Sequence, residues 1–201
     1  MNVGGIANIS YTKENQQIAF DICPANFVLN YLANQLNLEY DRNGEIAKTG
    51  TLNQKMFDEL NQINYYQLHS PKSLGREWIH HFIFPIIDSF SISIQDKLHT
   101  YTHHIAYQLS NVLNKLSRKN INYQTLVTGG GAFHSFLWKE VIPIYLNKNC
   151  QLVFPDSMII NFKEALIFAF LGVLRIRGEE NSLSTITGAS QNSCGGIVVG
   201  K

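Results

Sequence analysis

The feature that most constrains this chain is Gly129-Gly130-Gly131, set between the β-favouring run Thr125-Leu126-Val127-Thr128 and a segment, His134 to Leu146, that reads as helix. Consecutive glycines interrupt regular structure, so the order strand, glycine turn, helix follows. A second unit has the same form: Leu152-Val153-Phe154, then Asp156, then a helix from Phe162 to Arg177 that Gly178 ends. Strands alternating with helices predict an α/β domain with helices packed on a sheet. A chain of 201 residues, 45% of them hydrophobic, can bury one such core with an appendage.

The opening residues Val3 to Ser10, the polar stretch Lys13 to Gln17 and Ile18-Ala19-Phe20 predict a β-hairpin. Asn26 is placed to cap the helix that follows, in which Val28, Leu29, Leu32 and Leu36 recur on one side, ending near Asn37. From about residue 41 to 90, short helical pieces broken by Ser70-Pro71, Gly75 and Pro85 predict a helical insertion. Ser93 and Asp96 have capping-box spacing, and Leu98, Tyr101, Ile105, Leu109, Val112 and Leu116 then mark the longest buried helix.

The 16 basic residues nearly cancel the 15 acidic ones, which argues against nucleic acid or an anionic membrane surface as partner and favours a small molecule. The N-terminus lacks the pattern of a secretory signal, and the apolar run from Ala165 to Leu174 is too short to span a bilayer, so a soluble cytoplasmic protein is expected. Cys23, Cys150 and Cys194 lack metal or redox spacing and read as reduced thiols. His80, His81, His99, His103 and His104 read as packing or surface residues, and no metal site is expected.

Several residues have both a structural and a chemical reading. Gly4-Gly5, inside the opening strand, marks either a bulge or a place where backbone amides meet an anion. The glycine triplet lacks the P-loop lysine and the dinucleotide spacing, leaving a tight turn or close approach to a ring or ribose. Asp21, at a strand end before Pro24, suits either a turn or a general base. Asn161 and Glu164 share capping-box spacing, and Lys72, Arg76 and Glu77 form a loop cluster that is solvated or touches a ligand.

Taken together, Asn2 to Ile9, Phe20 to Asn26, Pro71 to Glu77, Gly129 to Ala132, Lys163-Glu164-Ala165 and Thr187-Gly188-Ala189 resemble the anhydro-N-acetylmuramic acid kinase family, in the family's order. The resemblance covers the C-terminal half of a typical member. It implies an RNase H-like domain of the actin-like ATPase kind, a mixed sheet flanked by helices, with the N-terminal phosphate-loop domain absent. It further implies that Gly4, Gly5 and Asn8 line the phosphates of ATP and that Gly129, Gly130 and Gly131 face adenosine. Asp21 would be the catalytic base, with Mg2+ assisting, while Asn26, Arg76 and Glu164 would contact an amino sugar. The Asp21-Ile22-Cys23-Pro24-Ala25-Asn26 block departs from the family's Asp-Thr-Gly-Pro-Gly-Asn, and Asn30 stands where an aspartate is usual. With half the cleft missing, the isolated chain is expected to be inactive. The absent domain would be supplied in cis or in trans. A non-catalytic nucleotide-binding module and an interaction domain of the same fold remain alternatives, and an apolar partner-facing surface would favour a homodimer.

Overall fold

The computed structural model describes residues 1–117 and 123–200. Three strands, β1 (Asn2–Val3), β2 (Ile6–Lys13) and β3 (Gln16–Pro24), form an antiparallel meander. Glu14 and Asn15, between β2 and β3, both have positive φ, as a two-residue hairpin turn with matching twist requires. Gly4-Gly5 is the turn from β1 to β2, not the interior of a strand, while the irregular register expected of a bulge falls at Ala7/Asn8.

Two further strands, β4 (Tyr123–Leu126) and β5 (Cys150–Val153), pair in parallel. The meander is joined to them along β1: Val3 N–H donates to Thr128 O at 2.7 Å, and Thr128 N–H donates to Met1 O at 3.0 Å. The resulting order is β3-β2-β1-β4-β5, antiparallel on one side and parallel on the other. That is the mixed sheet of the expected RNase H-like class.

Helix α1 (Asn26–Asn34) follows β3 directly. Its cap position is held by Ala25 without a side-chain bond, so Asn26 is the first helical residue and leaves its amide side chain free for other contacts. The insertion contains α2 (Glu45–Thr49), α3 (Gln54–Asn61), α4 (Arg76–Phe82) and α5 (Phe84–Ser89). Next comes α6 (Ile94–Leu116), where Ser93 Oγ accepts the Asp96 N–H at 3.0 Å as the capping spacing predicts. Leu98, Tyr101, Ile105 and Leu109 are fully buried along it, against α1, α2, α3 and β3. Gln108 and His104 on this helix are bonded within the fold, Gln108 Nε2 donating to Asn61 Oδ1 at 2.8 Å. His104 Nδ1 donates to Asn61 Oδ1 at 2.8 Å and its Nε2 accepts from the Tyr66 hydroxyl at 3.0 Å.

The segment after the glycine triplet is less regular than its sequence suggests. A 3-10 turn (Gly130–Phe133) and a π-helical stretch (Leu137–Val141) precede the single turn of α7 (Ile142–Tyr145). Pro143 within α7 has no amide to bond back to the preceding turn, which breaks a continuous α-helical ladder here.

Helix α8 (Ser157–Arg177) starts five residues before the expected Phe162. Asp156 caps it, its Oδ1 accepting the Ile159 N–H at 2.9 Å. Asn161 and Glu164 are therefore interior positions and not a capping box. Gly178, at φ +70°, closes the helix as expected. At 21 residues α8 is long and apolar enough to cross a membrane, which corrects the expectation drawn from the shorter run Ala165 to Leu174. The chain then returns to the far edge of the sheet, where α9 (Ser184–Thr187) packs on β3.

Candidate functional site

The two glycine turns meet at one end of the sheet. Gly129 has φ +85°, and a Cβ there would lie 2.6 Å from Val3 O; at Gly131 it would lie 2.4 Å from Val3 Cγ1. Glycine is required at both because this turn crosses directly over β1. Gly130 differs: a Cβ there meets nothing closer than Asn26 Nδ2 at 3.6 Å. On the other side, Gly4 O accepts the Asn26 N–H at 3.0 Å, and Gly5 O accepts from Ala25 at 2.9 Å and Phe27 at 3.2 Å. The Gly4-Gly5 turn is thus bonded to the start of α1, and the Asn26 side chain extends from there to the triplet.

A cavity of about 480 Å³ opens at this junction, with Asn26, Asn30, Arg42, Gly130, Gly131 and His134 in its wall. Asn30 stands one helical turn beyond Asn26 on α1, so the pair shares a face. His134 Nδ1 accepts the Leu137 N–H at 3.2 Å, which leaves the proton of the neutral ring on Nε2. Burial holds this imidazole below its ordinary pKa, against the opposing charge of Asp41.

Strand register places Asn8 opposite Asp21, and paired residues on antiparallel strands present their side chains on one face. Asp21 is fixed from three directions. Its Oδ2 accepts the Leu74 N–H at 2.8 Å, its N–H donates to Lys72 O at 3.2 Å, and its carbonyl accepts the Tyr65 hydroxyl at 2.8 Å. Burial raises its pKa, only partly countered by the Leu74 bond. Among the described residues it has no cationic partner at salt-bridge distance. A desolvated carboxylate without a counterion holds a proton more readily than a surface aspartate. Asp21 lines neither of the two large cavities; Asn8 lines the second, of about 730 Å³, together with Asn2, Thr128 and Lys163.

The remaining predicted residues are spread around this centre. The Arg76 guanidinium lies 5.4 Å from the centroid of Phe27, next to Asn26. Glu164 is exposed on α8 and touches none of the other candidates through a hydrogen bond or ion pair. Its neighbour Lys163 does reach the centre, donating to Asn2 Oδ1 and, at 2.9 Å, to Thr128 Oγ1. Lys163 had no assigned role in the sequence reading; its only signal was the Lys-Glu-Ala block. Lys72 is a framework residue, its Nζ bonding Tyr65 O at 3.1 Å over the Tyr65 ring.

His99 and His103, like His104, are bonded within the fold, His99 Nδ1 to Ala47 O and His103 Nδ1 to the Tyr145 hydroxyl, both at 2.9 Å, while His80 and His81 are exposed. Among the described residues no three His, Cys, Asp or Glu side chains group as metal ligands. Cys23, Cys150 and Cys194 are free thiols, and burial pushes Cys23 far above the usual thiol range.

A family model described as anhydro-N-acetylmuramic acid kinase matches residues 1–201. Curated anhydro-N-acetylmuramic acid kinases are similar to it at 32% identity from Haemophilus influenzae (94% of this chain, 53% of the relative) and 31% from Shewanella pealeana (96% and 53%). A third, from Vibrio cholerae, is 31% identical over 98% of this chain and 54% of its own length. The chain spans about half the length of the curated relatives it matches. A solved activator of the 2-hydroxyisocaproyl-CoA dehydratase from Clostridium difficile, with bound ADPNP, is similar over 88% of this chain and 60% of its own, at TM-score 0.46 and 13% identity, a likeness that carries no argument. By the family match over its whole length and the relatives' identities, this chain belongs to the anhydro-N-acetylmuramic acid kinase family.

Proposed function

We propose that this chain forms one wall of an ATP-dependent kinase for 1,6-anhydro-N-acetylmuramic acid, acting in the cytoplasm in cell-wall recycling. The observation that carries the reading is the junction of Gly4-Gly5, Asn26 and Gly129-Gly130-Gly131, with Asp21 and Asn8 paired on adjacent strands beside it.

In this reading Gly129, Gly130 and Gly131 bound the nucleoside side of the cleft, and Gly4, Gly5 and Asn8 bound its phosphate side. The 480 Å³ cavity is of the size small-molecule sites have, and Gly130 presents backbone without a side chain to it. Mg2+ brought with the nucleotide would offset charge on the phosphates during transfer. ATP supplies the phosphoryl group. Asp21 takes a proton from a water whose oxygen bonds to the anomeric carbon; the bond from that carbon to O6 breaks, and O6 accepts the phosphoryl group. The raised pKa of Asp21 suits proton uptake, and its bond to Leu74 fixes the carboxylate's direction. Asn26, Arg76 and Glu164 contact the sugar.

Phosphoryl transfer depends on groups surrounding the reacting atoms on all sides, so the chain alone binds weakly and does not turn over. The rest of the cleft comes from the segment that family-length relatives have in addition, in cis or in trans. The test is Asp21→Asn in the chain joined to such a segment, with phosphorylated sugar measured by chromatography. A loss of at least about a thousandfold in kcat is expected with nucleotide affinity retained. Because the pKa of Asp21 is raised, the acidic limb of the kcat/KM profile should lie above the usual aspartate range of about 3.9. Unchanged turnover removes Asp21 from the mechanism. Nucleotide binding without turnover in the wild-type assembly favours a binding module.

A further inference from the structure

Helix α8 is built like the interior of a protein and stands outside one. None of its 21 residues is buried, and nine of its large apolar side chains are 44–72% exposed. The apolar surface is not a single stripe. Leu166 and Phe168 are separated by about 200° around the helix axis, at 100° per residue, so they face opposite sides. Both are more than 70% exposed. Met158, Phe162 and Ile176 add further apolar surface along a length of about 31 Å, at 1.5 Å per residue. A helix that is hydrophobic all round belongs in a core or a bilayer.

The anchoring of α8 argues for a protein core. Near its start Lys163 is tied to Asn2 and Thr128 of the sheet, and near its end the Arg175 side chain meets Cys194 of the returning tail. Insertion into lipid would strip Lys163 from those partners and carry Asn161 and Glu164 into hydrocarbon, which is costly for such groups. Pairing with α8 of a second copy covers one side of the helix and leaves the other wet, because Leu166 and Phe168 diverge. An occupant able to wrap several sides is a folded domain, and family-length relatives contain about as much chain again as is matched here.

We infer that α8 is the docking helix for the other half of a family-length kinase, which closes around Leu166 and Phe168. The inference rests on the half-cleft reading above for the identity of its occupant, but not on any catalytic role.

The experiment uses this chain with the unmatched segment of the Haemophilus influenzae relative, supplied both as a separate chain and fused to it. Light scattering after gel filtration should show a one-to-one complex, and amides of residues 157–177 should gain at least about tenfold protection from hydrogen exchange in the fusion. Leu166→Glu and Phe168→Glu should each weaken the two-chain complex at least tenfold, with the circular dichroism of this chain unchanged, because both side chains are solvent-exposed in it. Asp21→Asn should leave the complex intact. Formation of the complex without sugar phosphorylation would defeat the catalytic reading and leave this one standing. Turnover that survives both glutamate variants would do the reverse. A homodimer that persists in the presence of the added segment, flotation of this chain with phosphatidylglycerol vesicles, or failure of the segment to bind at all would overturn the inference.

Discussion

Helices α6 and α8 are of similar length, 23 and 21 residues, each begins with a side-chain cap, and each is rich in apolar residues, yet one is the axis of the core and the other lies in solvent. The difference lies in what surrounds them. The insertion from α2 to α5, together with α1 and β3, encloses α6, so that even His103, His104, Thr100 and Gln108 are buried on it. Among the described residues no comparable layer meets α8. Sequence composition sets a helix's appetite for burial, but the neighbours that satisfy it are supplied elsewhere.

The contrast can be broken by truncation at matched positions. Leu109→Ala on α6 removes a side chain with no exposed surface and should cost about 2–5 kcal/mol, read from urea unfolding midpoints. A cost below about 1 kcal/mol would show that the α6 layer is loosely packed.

A smaller effect concerns acid. Burial lowers His104 to about 3 and His103 to about 4, against an ordinary value near 6.5. As pH falls through about 6.5 the unfolded chain takes up protons that the folded chain refuses, so stability is present above that pH and declines below it. Urea midpoints should therefore drop between pH 7 and pH 5, and His104→Gln should flatten the drop. A profile unaffected by His104→Gln would mean that the acid sensitivity resides in other groups. The smallest effect belongs to α8: Phe168→Ala in this chain alone should change stability by no more than about 0.5 kcal/mol. A cost near that of Leu109→Ala would show that α8 is already packed in solution.

The parts of the fold legible in the sequence are those fixed by local chemistry. The Ser93–Asp96 cap, the buried positions of α6 and the glycine stop at Gly178 could all be read from spacing. The start of α8 was misplaced because Asn161 and Glu164 imitate a cap, whereas Asp156, one turn and a half earlier, makes the bond. The irregular stretch after the triplet was hidden because Pro143 and the glycines leave several helical forms open to an apolar run.

The candidate site was legible as residue types and not as an arrangement. Nothing local in Gly129-Gly130-Gly131 announces that two of the glycines exist to clear Val3, since that follows from a pairing across the whole chain. Nor does the sequence around Asp21 reveal that its carboxylate is held by Leu74, 53 positions away. Asn26 was read as a cap and a sugar contact, and its backbone bond to Gly4 emerged only with the fold.

The sheet's central seam has a consequence for biogenesis. Met1 is bonded to Leu126 O across 125 positions, so β1 waits, as the chain is made, for a strand synthesised far later. At about 5–20 residues per second, that interval is on the order of ten seconds. During it the β1 margin of the meander is unpaired and open to pairing with a neighbouring strand.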